Sequence, residues 1–181
     1  PRTRQWGLYS YISAMLLTCV LSILKAKNVL VFNNSLDSGQ IFYNHIVTGY
    51  MVALGIYLAG LQVFKVNVNL GSRFFYLAMI FLGSYQILFI NTGKTGYLIY
   101  GILMTMLILQ KLSFKKAILG ITLFLSVILL TYSLSPQMQS NAYALLSDVK
   151  SLQQHQENNS LGFRIQFHQY AESLFKEHPV I

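Results

Sequence analysis

The chain has 181 residues, of which 54% are hydrophobic and 10% charged, and its net charge is +8. Soluble domains carry about 45–50% apolar and about 25% charged residues, so these proportions exclude a disordered chain, a disulfide scaffold and a water-soluble enzyme. Nucleic-acid binders gather Lys and Arg on one polar face. Here the thirteen Lys and Arg residues punctuate long apolar runs instead, so no nucleic-acid partner is expected.

A membrane-crossing helix needs about 20 apolar residues, with a range of roughly 17–25. The first predicted element is Gln5–Leu24, 20 uncharged residues between Arg4 and Lys25. Trp6, Tyr9 and Tyr11 crowd one end of it as an interfacial aromatic belt does. The run is too long for a signal peptide and lacks a small-residue cleavage pattern before Lys25. Cys19, the single cysteine, lies inside it, so neither an intrachain disulfide nor a cysteine metal cluster can form. The second element is Ile46–Phe64, with 19 uncharged residues, and the third is Phe74–Ile90, with 17. Thr95–Gln110, 16 residues, is a shorter fourth, extendable through the Gly93–Lys94 turn. Ala117–Leu134, 18 residues closed by Ser135-Pro136, is the fifth. The fold class is therefore all-α and polytopic, with a transmembrane bundle over 1–134 and a different region over 135–181.

Lys and Arg favour the cytoplasmic side of short loops. With the N-terminus inside, the inner segments hold seven of them (Arg2, Arg4, Lys65, Arg73, Lys111, Lys115, Lys116). The outer short loops then hold three, Lys25, Lys27 and Lys94. This split predicts a cytoplasmic N-terminus, with loop 26–45, the Asn91–Lys94 turn and the tail 135–181 outside. All five acids (Asp37, Asp148, Glu157, Glu172, Glu177) also fall outside, and none lies within a span. Proton- and cation-coupled carriers usually rely on intramembrane carboxylates, so the pattern speaks against transport.

The tail changes character. Gln137–Asn159 is rich in Gln, Ser and Asn and reads as a solvated segment with one short helix. Ser160 caps a predicted helix to about Lys176, with Phe163, Phe167, Tyr170 and Leu174 on one stripe and Arg164, His168 and Phe175 beside it. The abrupt start at Pro1 and end at Ile181 suggest a piece of a longer membrane protein.

Chemistry has few places to sit. Gly93-Lys94-Thr95 resembles the end of a P-loop, but that motif needs a Gly where Leu88 stands and a strand before it. Two readings of Lys94 remain. It is an interfacial lysine that snorkels to the headgroups, or a cation at a helix N-terminus, beside free N–H groups suited to a phosphate. Arg164 is likewise either a solvated charge or a bidentate phosphate clamp. His45 opens the second span as an outer-mouth contact, either an interfacial hydrogen-bonder or a base. His155, His168 and His178 have no metal-ligand spacing, so no metal and no cofactor is expected. Asn33-Asn34-Ser35 and Asn158-Asn159-Ser160 match the short glycosylation pattern.

The string Asn91-Thr92-Gly93-Lys94-Thr95-Gly96-Tyr97-Leu98 resembles a segment of the bacterial O-antigen ligase family, which also includes O-antigen polymerases. In that family an arginine-bearing turn opens a helix on the periplasmic side. Leu161-Gly162-Phe163-Arg164, leading through Tyr170-Ala171 to His178-Pro179-Val180-Ile181, resembles the start of the family's large periplasmic loop. Phe42-Tyr43-Asn44-His45-Ile46 resembles its entry into an earlier span. Two departures stand out. Lys94 replaces the family's arginine, keeping the charge but losing the fork. The chain also stops where the family's Gly-x-Gly stretch would begin, so the catalytic histidine is expected beyond Ile181, and residues 1–181 alone are expected to be inactive.

The resemblance implies a GT-C-like, metal-independent glycosyltransferase in the bacterial inner membrane. Its donor would be a polyprenyl-diphosphate-linked glycan and its acceptor the lipid A–core of lipopolysaccharide, with membrane lipids around it. Lys94 and Arg164 are then the expected diphosphate ligands, with His45 at the outer mouth. A polymerase, or a ligase passing the glycan to protein, fits the same residues; a transporter or a membrane scaffold is the reading from another class.

Overall fold

The computed structural model describes residues 2–30, 41, 44–65, 68–153 and 160–177. Asn33 to Ser35, Phe42, Tyr43, His155, Asn158, Asn159 and the terminal His178 to Ile181 lie outside the described residues. All regular structure among the described residues is helical: α1 (Arg2–Ala26), α2 (His45–Val63), α3 (Leu70–Tyr85), α4 (Lys94–Lys111), α5 (Phe114–Leu134), α6 (Pro136–Gln153) and α7 (Ser160–Glu177). Between α3 and α4, Gln86–Ile90 form a π-helical turn that continues α3. The chain divides into two compact units, residues 1–139 and 140–181.

Helix starts follow local capping chemistry. Asn44 opens α2, its side chain accepting the Ile46 N–H at 3.1 Å. Asn69 opens α3 by accepting the Ser72 N–H at 2.8 Å. This cap moves the start of α3 four residues ahead of the expected Phe74 and takes Arg73 into its first turn. Replacing an Asn cap with Ala costs about 0.5–2 kcal/mol, so Asn69→Ala is expected to lower the melting temperature while Asn69→Asp or Asn69→Ser preserves it, as read by thermal denaturation in detergent.

The polar stretch after Pro136 differs from the expected short helix: α6 runs for 18 residues. Pro136 sits in the first turn, where its missing N–H costs nothing. The Ser135 hydroxyl accepts the Met138 N–H at 3.2 Å, and Ala142, Ala144, Leu145 and Leu146 are strong helix formers. Polar composition masked good propensity.

Among the described residues, four helices are long and apolar enough to cross a membrane: Gln5–Ala26, His45–Val63, Leu70–Ile90 and Phe114–Leu134. That is compatible with a multi-pass membrane protein. The fourth expected span, Thr95–Gln110, forms as α4 but is not among the four. Its 18 residues include Lys94 and Lys111 at the ends and Gln110 beside the latter, which dilute its apolar stretch.

The first unit is held by close helix packing around Ile12, Cys19, Val52, Ile56, Met79 and Ile87, all buried. In lipid, helices gain little from burying apolar surface and instead associate through tight contacts at small residues. Gly49 of α2 lies against Gly96 of α4 and, eleven residues on in both helices, Gly60 lies against Leu107. α2 and α4 therefore run parallel, side by side. α3 runs opposite to α2, since Gly83 meets Ile56 while Asn91 meets Gly49. α5 runs opposite to α4, with Phe124 edge-on to Tyr100 at 5.8 Å and Gly120 against Ile108 and Leu112. Along α5, Leu119, Leu123 and Leu129 are exposed, as side chains facing lipid would be.

Candidate functional site

The directions of α2 to α5 bring four chain ends together. The starts of α2 and α4, the π turn that ends α3 and the finish of α5 meet at one end of the first unit. Asn91 organises this end. Its N–H closes the π turn onto the Gln86 carbonyl at 2.8 Å. Its side-chain oxygen accepts the Gly93 N–H at 3.1 Å, and its carbonyl accepts the Tyr97 hydroxyl at 3.1 Å. Its amide nitrogen is wedged between Gly49 and Gly96. From the finish of α5, Ser135 donates its hydroxyl to the Leu88 carbonyl at 2.9 Å, tying that helix to the same turn.

The turn sets Gly93 against His45. A β-carbon on Gly93 would stand 3.1 Å from the His45 ring and 3.2 Å from its carbonyl, so a side chain there would push the turn and His45 apart by a few tenths of an ångström. His45 is the first residue of α2 and Lys94 the first of α4, and both are half-buried. The structure thus brings these two expected site residues to one place, joined through Gly93. Two helix N-termini point the same way here. Each contributes the equivalent of roughly half a positive charge, and Lys94 adds a full one. α4 starts without a side-chain cap, unlike α2 and α3. The arrangement suits an anion.

Arg164 lies in the second unit, on α7, where it is exposed. The expected helix from Ser160 forms and runs to Glu177. Its stripe of Phe163, Phe167, Tyr170 and Leu174 is exposed as well. Glu172 and Lys176 pair one turn apart at 2.8 Å, a surface contact that contributes little to stability. Among the described residues no group of three or more His, Cys, Asp or Glu could hold a metal ion.

Two residues of the meeting point escaped the sequence reading. Asn91 was legible only as part of a turn, and Gln86 only as an uncharged member of a span. Both are fully buried. A buried amide in an apolar run is expensive in lipid, and that cost was the signal available for both.

Comparison with family models, curated proteins and solved structures finds no match for the chain.

Proposed function

We propose that this chain is the transmembrane bundle and the beginning of the periplasmic loop of an O-antigen ligase-like, GT-C-like glycosyltransferase of the bacterial inner membrane. The observation that carries this reading is the meeting of the α2 and α4 N-termini, with His45 packed on Gly93 and Lys94 next in the chain. On this reading the diphosphate of a polyprenyl-linked glycan donor binds at that end. Lys94 and the α4 N–H groups hold the leaving diphosphate and offset the charge that grows on it as the glycosidic bond breaks. Arg164, on α7, is the second candidate ligand of a diphosphate on this reading. Transfer to the lipid A–core further requires a base that deprotonates the acceptor sugar.

The same reading takes α4 as a fifth crossing. α4 lies along α2 from Gly49 to Gly60, so it traverses whatever thickness α2 does. With the N-terminus cytoplasmic, the meeting point and residues 135–181 face the periplasm, the side on which the donor glycan is displayed.

Titration of the chain in lipid nanodiscs with undecaprenyl diphosphate tests the proposal. Saturable, salt-sensitive binding, competed by farnesyl diphosphate and not by farnesol, is expected. Competition by farnesol as strong as by the diphosphate would make the meeting point a mere apolar groove and defeat the reading.

A further inference from the structure

The side chain of Gln86 is fully buried, and neither its amide oxygen nor its amide nitrogen has a hydrogen-bond partner among the described residues. The same holds for the side-chain nitrogen of Asn91, also fully buried, whose N–H closes the turn that Gln86 opens. The π turn carrying Gln86 packs against α1, α2 and α4. On α1 the buried Ser22 hydroxyl is unpartnered too. Each buried polar group left unpaired loses its hydration without compensation, which destabilises the fold. Three of these atoms belong to the π turn and its closing residue, and the fourth lies on α1, a helix packed against that turn.

We propose that Gln86 and Asn91 frame an internal hydration site at the π turn, one that takes water and not an ion. The donor set selects the ligand. Gln86 and Asn91 present N–H donors, while Gln86 also presents an acceptor oxygen and a serine hydroxyl does either. A cation would face those N–H groups, and an anion would find no buried cation, since no charged residue is buried among the described ones. Water both donates and accepts, and a buried water needs two to four polar partners. The backbone of the turn supplies the opening. Its wide i to i+5 closure, Asn91 N–H onto the Gln86 carbonyl, loosens the helical ladder as π turns at functional sites do. The Leu88 carbonyl already takes its partner from outside the helix, the Ser135 hydroxyl. The proposal does not depend on the diphosphate reading, although Asn91 also holds the turn before Lys94.

X-ray radiolytic footprinting of the full chain in nanodiscs tests this directly, because a bound water generates radicals where it sits and labels its neighbours even when they are buried. Ile87 adjoins Gln86, and Ile12 is equally inaccessible at 0% exposure. Labelling of Ile87 several-fold above Ile12 is expected, falling to the Ile12 level in Gln86→Leu. Equal labelling of the two in the unmodified chain would overturn the proposal. Thermal denaturation gives a second reading with a definite sign. In a dry site, Gln86→Met replaces an orphan amide with an apolar chain of similar size and raises the melting temperature or leaves it unchanged. In a hydrated one it strands the water and the Asn91 amide and lowers it by about 2–4 °C. Should Gln86→Met fail to fold, the labelling of the unmodified chain decides alone.

Discussion

Replacing Lys94 with alanine is expected to weaken binding of an isoprenyl diphosphate by about 10- to 100-fold while leaving the helical bundle folded. A hydrogen bond to a charged group contributes about 1.5–3 kcal/mol, and each 1.4 kcal/mol is a factor of ten in affinity. Lys94 is half-buried at a helix start, and the turn before it is held by Asn91, Gly93 and Tyr97. Lys94→Arg is expected to keep or tighten binding, since the guanidinium keeps the charge and adds a fork that fits two phosphate oxygens. The two helix N-termini survive either substitution, so Lys94→Ala retains a weak anion preference. Isothermal titration with farnesyl diphosphate, with circular dichroism on each variant, reads all three outcomes. Unchanged affinity in Lys94→Ala would make the residue a snorkelling lysine and remove the ground for a diphosphate site.

Arg164 enters the same experiment differently. It is exposed on α7 and belongs to the second unit. Its loss touches no packing, so any drop in diphosphate affinity in Arg164→Ala reports on the ligand alone.

The extents of the helices were legible in the sequence because apolar runs bounded by charge need no tertiary information. Ile46–Phe64 lies within one residue of α2 at both ends, and Gln5–Leu24 within three residues of α1. The errors have local causes. Asn69 and Ser113 stand where side chains or turns begin helices, so α3 and α5 take in charged residues, Arg73, Lys115 and Lys116, that a hydropathy reading assigns to loops. The length of α6 was hidden because hydropathy says nothing of helix propensity. For the site, the sequence showed a lysine at a helix start and a histidine at another. It could not show that α2 and α4 run side by side, which depends on glycines forty-seven positions apart meeting in space. The π turn was illegible altogether, since Gln86–Ile90 has no residue that distinguishes it from ordinary helix.

The meeting of those glycines makes Gly49 the most sensitive packing position of the bundle, and Gly49→Val is expected to unfold it or separate α2 from α4. A β-carbon there would stand 3.0 Å from the Gly96 Cα and drive into the Asn91 amide. The first obstacle is backbone, which no rotamer change relieves, and the second is the residue that organises the turn. Overpacking a tight core costs about 1–3 kcal/mol even when side chains can adjust, and here they cannot. Lipid offers no hydrophobic compensation for helices pushed apart, because association within it rests on close contact. Gly101 provides the control on the same helix as Gly96. A β-carbon at Gly101 meets nothing within 4 Å, so Gly101→Ala gains helix propensity without a clash. It is expected to stabilise the bundle by about 0.4–1 kcal/mol. Gly49→Ala falls between these extremes, losing stability and, through Asn91 and Gly93, the position of Lys94. Its diphosphate affinity is therefore expected to fall together with its melting temperature, whereas Lys94→Ala loses affinity alone. Equal stability of Gly49→Ala and Gly101→Ala in the same detergent would mean that α2 and α4 do not touch as described. The convergence of their N-termini would then lose its structural basis.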